Sequence, residues 1–200
     1  HKPEKQRKIA QETMDIFVPI ANRLGLHHLK AQLEDLCARY QDPEAYREVD
    51  DFLQRTQSDR EQYTGRVAQA MGVLLDQWGV GGRISGRAKH HYSILRKMRD
   101  QHLELSEVSD LIAFRVIVDD IGACYQLFGQ FHGTWPPIQD RIKDYIARPK
   151  ANGYQSLHTT VIGPEERRIE IQIRTEQMHR IAEEGVAAHW KYKEGHLALS

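Results

Sequence analysis

"LIAFRVIVD", residues 111–119, is the stretch whose reading decides the fold. Apart from Arg115 and the closing Asp119 it is apolar on both faces of an extended chain. A strand with both faces covered reads this way, so it belongs inside a sheet. Working outward, residues 83–89 predict a short strand or turn and residues 90–101 a helix. Downstream, a helix is expected over 121–132, strands over 139–146, 158–163 and 167–175, and a closing helix over 176–192. Five strands with interspersed helices imply an α+β or α/β domain on a mixed sheet flanked by helices.

The glycine-rich run Gly79-Val80-Gly81-Gly82 separates this region from a different texture upstream. There Ile9, Thr13, Ile16, Phe17 and Ile20 recur at helical spacing, as do Leu29, Leu33, Leu36, Cys37 and Tyr40. Pro19 should kink or restart the first helix, and Gly25 should end it. Asp42-Pro43 predicts a capped helix start, and a break is expected near Thr56-Gln57-Ser58. The expected organisation is an all-helical segment over 1–80, which props up the rest, a domain over 81–195, and a tail over 196–200.

The chain has 200 residues, with 28 basic and 28 acidic side chains and 40% hydrophobic content. This is a globular composition with no membrane-spanning run. The expected location is cytoplasmic. Cys37 and Cys124 match no metal spacing. The first residue is not methionine, which suggests a fragment of a longer protein. Zero net charge argues against a general nucleic-acid binder. Yet Arg83, Arg87, Lys89, Arg96, Lys97 and Arg99 cluster without an acid. That suits a compact anionic ligand, or simply a solvated helix face.

In "RRIEIQIRT", residues 167–175, Ile169, Ile171 and Ile173 point one way and Arg168, Glu170, Gln172 and Arg174 the other. The polar row either faces water on an edge strand or lines a cleft. Asp110 is a partner carboxylate for Glu170 in holding Mg²⁺, or else a turn aspartate. Arg115, five residues on, falls on the opposite face from Asp110 in a regular strand. Lys89, Ser93 and Lys97 form one stripe at i, i+4 and i+8. With helix N-terminal N–H groups they favour phosphate. Arg141, Lys143 and Tyr145 share a face of the strand expected at 139–146. Then "ARPKANGYQSLHTTV", residues 147–161, brings Lys150, Asn152, Gly153, Tyr154 and His158 to the mouth of the next strand. Two basic clusters with carboxylates between them suggest two phosphorylated ligands and a metal, a phosphoryl-transfer layout.

"GRAKHHYSILRKM", "SDLIAFRVIV", "RIKDYIARPKANGYQSLHTTV" and "IEIQIRTEQMHRIAEEGVAAHWKYK" together resemble the synthetase domain of the RelA/SpoT family of stringent-response enzymes. The upstream "ETMDIFVPIANRLGLHHLKAQLEDL" resembles the segment joining that family's hydrolase and synthetase domains. The resemblance implies a nucleotidyltransferase-like fold. It implies a transferase that moves pyrophosphate from ATP to the 3′-hydroxyl of GDP or GTP. Arg87 and Arg115 would then sandwich adenine, and Lys89, Ser93 and Lys97 would hold the ATP phosphates. Asp110 and Glu170 would bind Mg²⁺, with Glu170 also activating the hydroxyl. Tyr154 would stack on guanine. Arg141, Lys143, Lys150, Asn152, His158, Gln172 and Arg174 would shape the guanosine site.

No His-Asp dipeptide occurs in the chain, so the resemblance implies no hydrolase activity here. The basic tetrapeptide Arg141-Ile142-Lys143-Asp144 accompanies a working hydrolase in the family, implying a bifunctional parent. The implied partners are ATP, GDP or GTP and the absent hydrolase domain. Neither a membrane nor a nucleic acid is expected to bind this fragment, and any ribosome contact would run through absent C-terminal regions. The rival readings are a catalytically silent sensor, an RNA-directed nucleotidyltransferase, and a folded but inactive fragment. Intact Asp110 and Glu170 speak against the first, and neutral charge against the second.

Overall fold

The computed structural model describes residues 2–108 and 111–185. Its strands are β1 (Arg83–Ala88), β2 (Ile112–Val118), β3 (Lys143–Asp144), β4 (Leu157–Ile162) and β5 (Arg168–Thr175). They form one sheet in the order β1-β2-β5-β4-β3. β2 and β5 run parallel and the other pairs antiparallel, so the sheet is mixed as expected. The opening stretch supplies β2, which is paired on both sides and buried along its length except at half-buried Arg115. β5 is the middle strand, which removes the reading of its polar row as a water-facing edge.

One expected strand differs. Over 139–146, Gln139–Arg141 wind a 3-10 turn and only Lys143–Asp144 pair with β4. The Asp144 carboxylate accepts the N–H groups of Ile146 and Ala147, at 2.9 and 2.8 Å. That turn chemistry competes with the ladder and leads the chain away from the sheet.

The helical part comprises α1 (Pro3–Glu12), α2 (Val18–Arg23), α3 (His27–Gln41), α4 (Pro43–Arg55) and α5 (Gln57–Gln77). Between α1 and α2 the helix widens into a π turn, Thr13–Phe17. Pro19 lacks the N–H that the Asp15 carbonyl would use, which accounts for the local widening. Gly25, at φ 70°, ends α2 while the Leu26 N–H reaches the Ala21 carbonyl at 2.9 Å. Asp42 caps α4 by accepting the Ala45 N–H at 3.2 Å. The remaining helices are α6 (His91–Gln101), α7 (Ile121–Thr134) and α8 (Glu176–Glu184). The part of the expected closing helix beyond residue 185 lies outside the described residues.

Two cores hold these elements. On one face of the sheet Phe114, Val116, Val161, Ile169, Ile171 and Ile173 meet Tyr63, Val67, Met71 and Leu75 of α5 and Cys124, Leu127 and Phe131 of α7. Each such side chain contributes about 1.5–3 kcal/mol on burial. Gly86 permits the close approach of α5, because a Cβ there would run into Thr64. This core crosses the boundary expected at residue 80. The glycine run stops the helix, but the amphipathic α5 before it covers the sheet. The second core joins Ala38 of α3 and Val49 of α4 to Ile94 and Leu95 of α6, with Leu105 and Val108. It seats α6 beside the sheet's other face. Among the described residues no helix is long and apolar enough to cross a membrane.

Candidate active site

The strand register builds the site. Arg87 pairs with Ala113, Ala113 with Glu170 and Glu170 with Thr160. The next row on the same face runs Ser85, Arg115, Gln172, His158 and Lys143. Ile117 and Arg174 follow. Residues in register point the same way, so the polar row of β5 shares one face with Arg115, His158 and Lys143. The isoleucines of β5 fill the opposite face. Arg115 therefore lies on the Glu170 face, and Asp110, the carboxylate expected to partner Glu170, lies outside the described residues.

Above this face is a cavity of about 390 Å³. Arg87, Lys89, Ser93 and Lys97 line one side, Arg141 and Lys143 another, and Glu170, Gln172 and His158 are also in its wall. The two basic clusters read from the sequence thus meet in one space. Arg141 arrives there from a 3-10 turn rather than a strand.

Glu170 is the most constrained carboxylate in the cavity. Lys89 Nζ lies 3.1 Å from its Oε2, and Gln172 Nε2 donates to its Oε1 at 2.8 Å. His158 Nδ1 is 3.8 Å from the same Oε1. Burial pushes the Glu170 carboxyl up, but Lys89, Gln172 and His158 more than offset it, so the net shift is downward. His158 is driven down to about 4, mainly by burial, against the opposing charge of Glu170. Near neutral pH this is a charged carboxylate beside an uncharged imidazole.

The N-terminus of α6 is partly occupied by carboxylates. Asp35 of α3 takes the Tyr92 N–H at 2.8 Å and lies 3.5 Å from His90, while Asp50 of α4 lies 2.9 Å from His91. Of the helix N–H groups expected to face phosphate, that of Tyr92 is already taken by a carboxylate of the helical part, while Asp50 meets only the His91 side chain. Lys89, Ser93 and Lys97 all line the cavity.

Residues 147–156 form a second grouping. The Lys150 N–H bonds the Tyr154 carbonyl at 3.1 Å and the Gly153 N–H bonds the Lys150 carbonyl at 2.8 Å, closing a tight turn. Gly153 sits at φ 77°, where a side chain would be strained. Tyr154 is buried, with its ring edge-on to His27, Tyr145 and His158. The Lys150 ammonium lies over that ring, 5.1 Å from its centroid. Asn152 turns away and donates to the Asn22 carbonyl at 2.9 Å. Lys150 and Asn152 instead border a separate cavity of about 400 Å³ with Asn22, Arg23, His27 and Lys30.

Arg115 and Arg174 lie further along the polar face, below α8. Glu183 Oε1 accepts from Arg174 Nη2 at 3.3 Å and forms an ion pair with Arg115, 3.2 Å from its Nη1. Arg174 also donates to His179 Nδ1 at 2.8 Å. Both Nε atoms are buried without a hydrogen-bond partner. One carboxylate serves two guanidinium groups, leaving this corner cationic.

Sequence reasoning counted Arg96 in the basic cluster without giving it a role and did not single out Asp100, yet both line the main cavity. Both fall on the Ser93 stripe at i+3 and i+7, so their spacing carried the signal. His27, Lys30 and Asn22 had no local signal. They come from the helical part, which was expected only to prop up the domain, and they reach the 147–156 loop by tertiary packing.

Among the described residues no three His, Cys, Asp or Glu side chains gather as a metal site. Glu170 nevertheless offers one half-buried carboxylate beside cation-lined space. Magnesium takes such a donor set, one or two carboxylates completed by substrate phosphates.

The family described as "Region found in RelA / SpoT proteins" matches residues 86–197, more than half of the chain. A GTP pyrophosphokinase of Myxococcus xanthus is 48% identical over 98% of this chain and 26% of its own length. The bifunctional (p)ppGpp synthase/hydrolase SpoT of Escherichia coli is 46% identical over 96% of this chain and 28% of its own. The chain thus spans about a quarter of the length of these curated relatives. Among solved structures, small alarmone synthetase 1 of Bacillus subtilis superposes with a TM-score of 0.56 at 23% identity, covering 72% of this chain and 81% of that one. That likeness concerns the fold.

Proposed function

The chain belongs to the RelA/SpoT family, and from that premise we propose that it transfers pyrophosphate from ATP to the 3′-hydroxyl of GDP or GTP. The observation that carries the proposal is the single cavity in which the α6 cluster and the Arg141–Lys143 cluster face each other beside Glu170. Two polyphosphates brought together repel, and cationic side chains on both sides offset that repulsion as charge shifts in the transition state.

In this reading Lys89, Ser93 and Lys97 hold the ATP phosphates, and Arg87 and Arg115 clamp adenine. Arg115 must leave Glu183 to do so. Arg141, Lys143, Gln172 and Arg174 shape the guanosine site. Guanine takes the place of the Lys150 ammonium over Tyr154, and Lys150 moves onto its phosphates. Asn152 holds the loop in place. The 3′-oxygen attacks the β-phosphorus of ATP, its proton passes to Glu170, and the bond to the bridging α,β-oxygen breaks. AMP leaves with that electron pair. Mg²⁺, held by Glu170 and Asp110, would neutralise phosphate charge. Hydrolysis of the product is not expected from these residues, and in the longer protein we assign it to another domain.

Purified protein given Mg²⁺, ATP and GDP should yield ppGpp and AMP on anion-exchange chromatography. If folded protein yields no guanosine product across a range of metal concentrations, the proposal fails.

A further inference from the structure

Tyr154 offers a ring for stacking, but a phenylalanine would offer the same ring. Its hydroxyl is therefore unexplained by base recognition. Tyr154 Oη lies 2.8 Å from His158 Nε2, and His158 Nδ1 lies 3.8 Å from Glu170 Oε1. Strand register fixes this line, since His158 pairs with Gln172 and Thr160 pairs with Glu170, making His158 and Glu170 diagonal neighbours on one face. We infer that the Tyr154 hydroxyl is a positioning group for the reaction, acting through His158 to orient the Glu170 carboxylate. This rests on the proposed role of Glu170 as the base that receives the 3′-hydroxyl proton.

The hydrogen-bond inventory gives the bridge a direction. At 3.8 Å the His158–Glu170 contact is electrostatic rather than a hydrogen bond, and an ionised carboxylate at that distance favours the tautomer whose N–H faces it. In the neutral ring the other nitrogen then has only a lone pair, and Tyr154 O–H donates to it. Donation at Nε2 keeps the proton on Nδ1, where its positive end faces Glu170. Ser156 is the other side chain that hydrogen-bonds the Tyr154 hydroxyl. Tyr154 is 8% exposed, and Tyr145 stands edge-on to both rings. Lys89 and Gln172 hold the carboxylate from other sides, so His158 supplies a further fixed direction. The arrangement is that of a ligand or base oriented by a partner behind it, whose loss typically costs about 10–100-fold in activity.

The test uses Tyr154→Phe, which keeps the ring and removes one oxygen. With guanosine nucleotide varied, kcat should fall about tenfold, the lower end of that range, while KM stays within about twofold. A readout independent of turnover is the tautomer of His158, observed by ¹⁵N NMR in protein labelled at histidine. Wild type should show the Nδ1–H form, and Tyr154→Phe should show a mixture. A wild-type Nε2–H form, or a variant with full kcat, overturns the inference. A variant altered only in KM overturns it too, since the hydroxyl would then serve binding. If wild type makes no product, the proposed function fails, and the tautomer alone then decides whether the bridge exists.

Discussion

Replacing Arg174 by methionine should leave the protein as stable as before or more so, while impairing guanosine nucleotide use. Arg174 is 2% exposed, yet its Nε has no partner. What methionine removes on the favourable side is small. The bond to His179 is worth about 1 kcal/mol, and the ion pair to Glu183, itself 40% exposed, about 0–1 kcal/mol. What it relieves is larger: a buried unsatisfied N–H costs about 1–3 kcal/mol, and the buried charge adds a desolvation penalty. Glu183 keeps Arg115 at 3.2 Å, so no carboxylate is stranded. The balance is about 0–2 kcal/mol in favour of the variant. Urea unfolding with an unchanged m-value reads this directly. Steady-state kinetics should show a raised KM for GDP. A loss of more than about 2 kcal/mol would refute the view that this guanidinium is kept for a ligand rather than for the fold.

Other outcomes follow from the same geometry. Glu170→Gln should abolish turnover while ATP still binds in a calorimetric titration, and an unchanged rate would remove Glu170 from the chemistry. Tyr154→Ala should weaken guanosine nucleotide binding by about 1–3 kcal/mol, the worth of one base stack, with ATP affinity unaltered. Asn152→Ala should release the loop from the Asn22 carbonyl and raise amide exchange over 150–154. Burial, then Lys150, Lys30 and Arg174, drive His27 down to about 4. Between that value and the unfolded 6.5 the unfolded chain binds more protons. His27 therefore contributes stability above pH 6.5 that is lost as pH falls toward 4. His27→Gln should flatten the decline in urea midpoint between pH 7 and about 5.

What was legible in the sequence followed short-range periodicity. Alternation in 168–175 identified both faces of β5, and the spacing of Lys89, Ser93 and Lys97 anticipated that all three share the cavity. Local cap chemistry placed the start of α4 at Asp42. Features set by distant partners were not legible. The Asp35 that occupies the α6 N-terminus lies 57 residues before Tyr92, and neither stretch advertises the other. His27 likewise meets Tyr154 only through tertiary packing of α3 near the 147–156 loop. Residues 139–146 misled because aspartate turn bonds and strand alternation compete over eight residues. The bonds to Ile146 and Ala147 decided the matter.

The central claim is that one cavity joins two nucleotides by moving two phosphoryl groups at once. Incubating the protein with Mg²⁺, GDP and ATP labelled at its β-phosphorus tests it most directly. The account predicts label on the guanosine nucleotide and one AMP released per guanosine product. ADP as the adenine product, or label that never reaches guanosine, would contradict it.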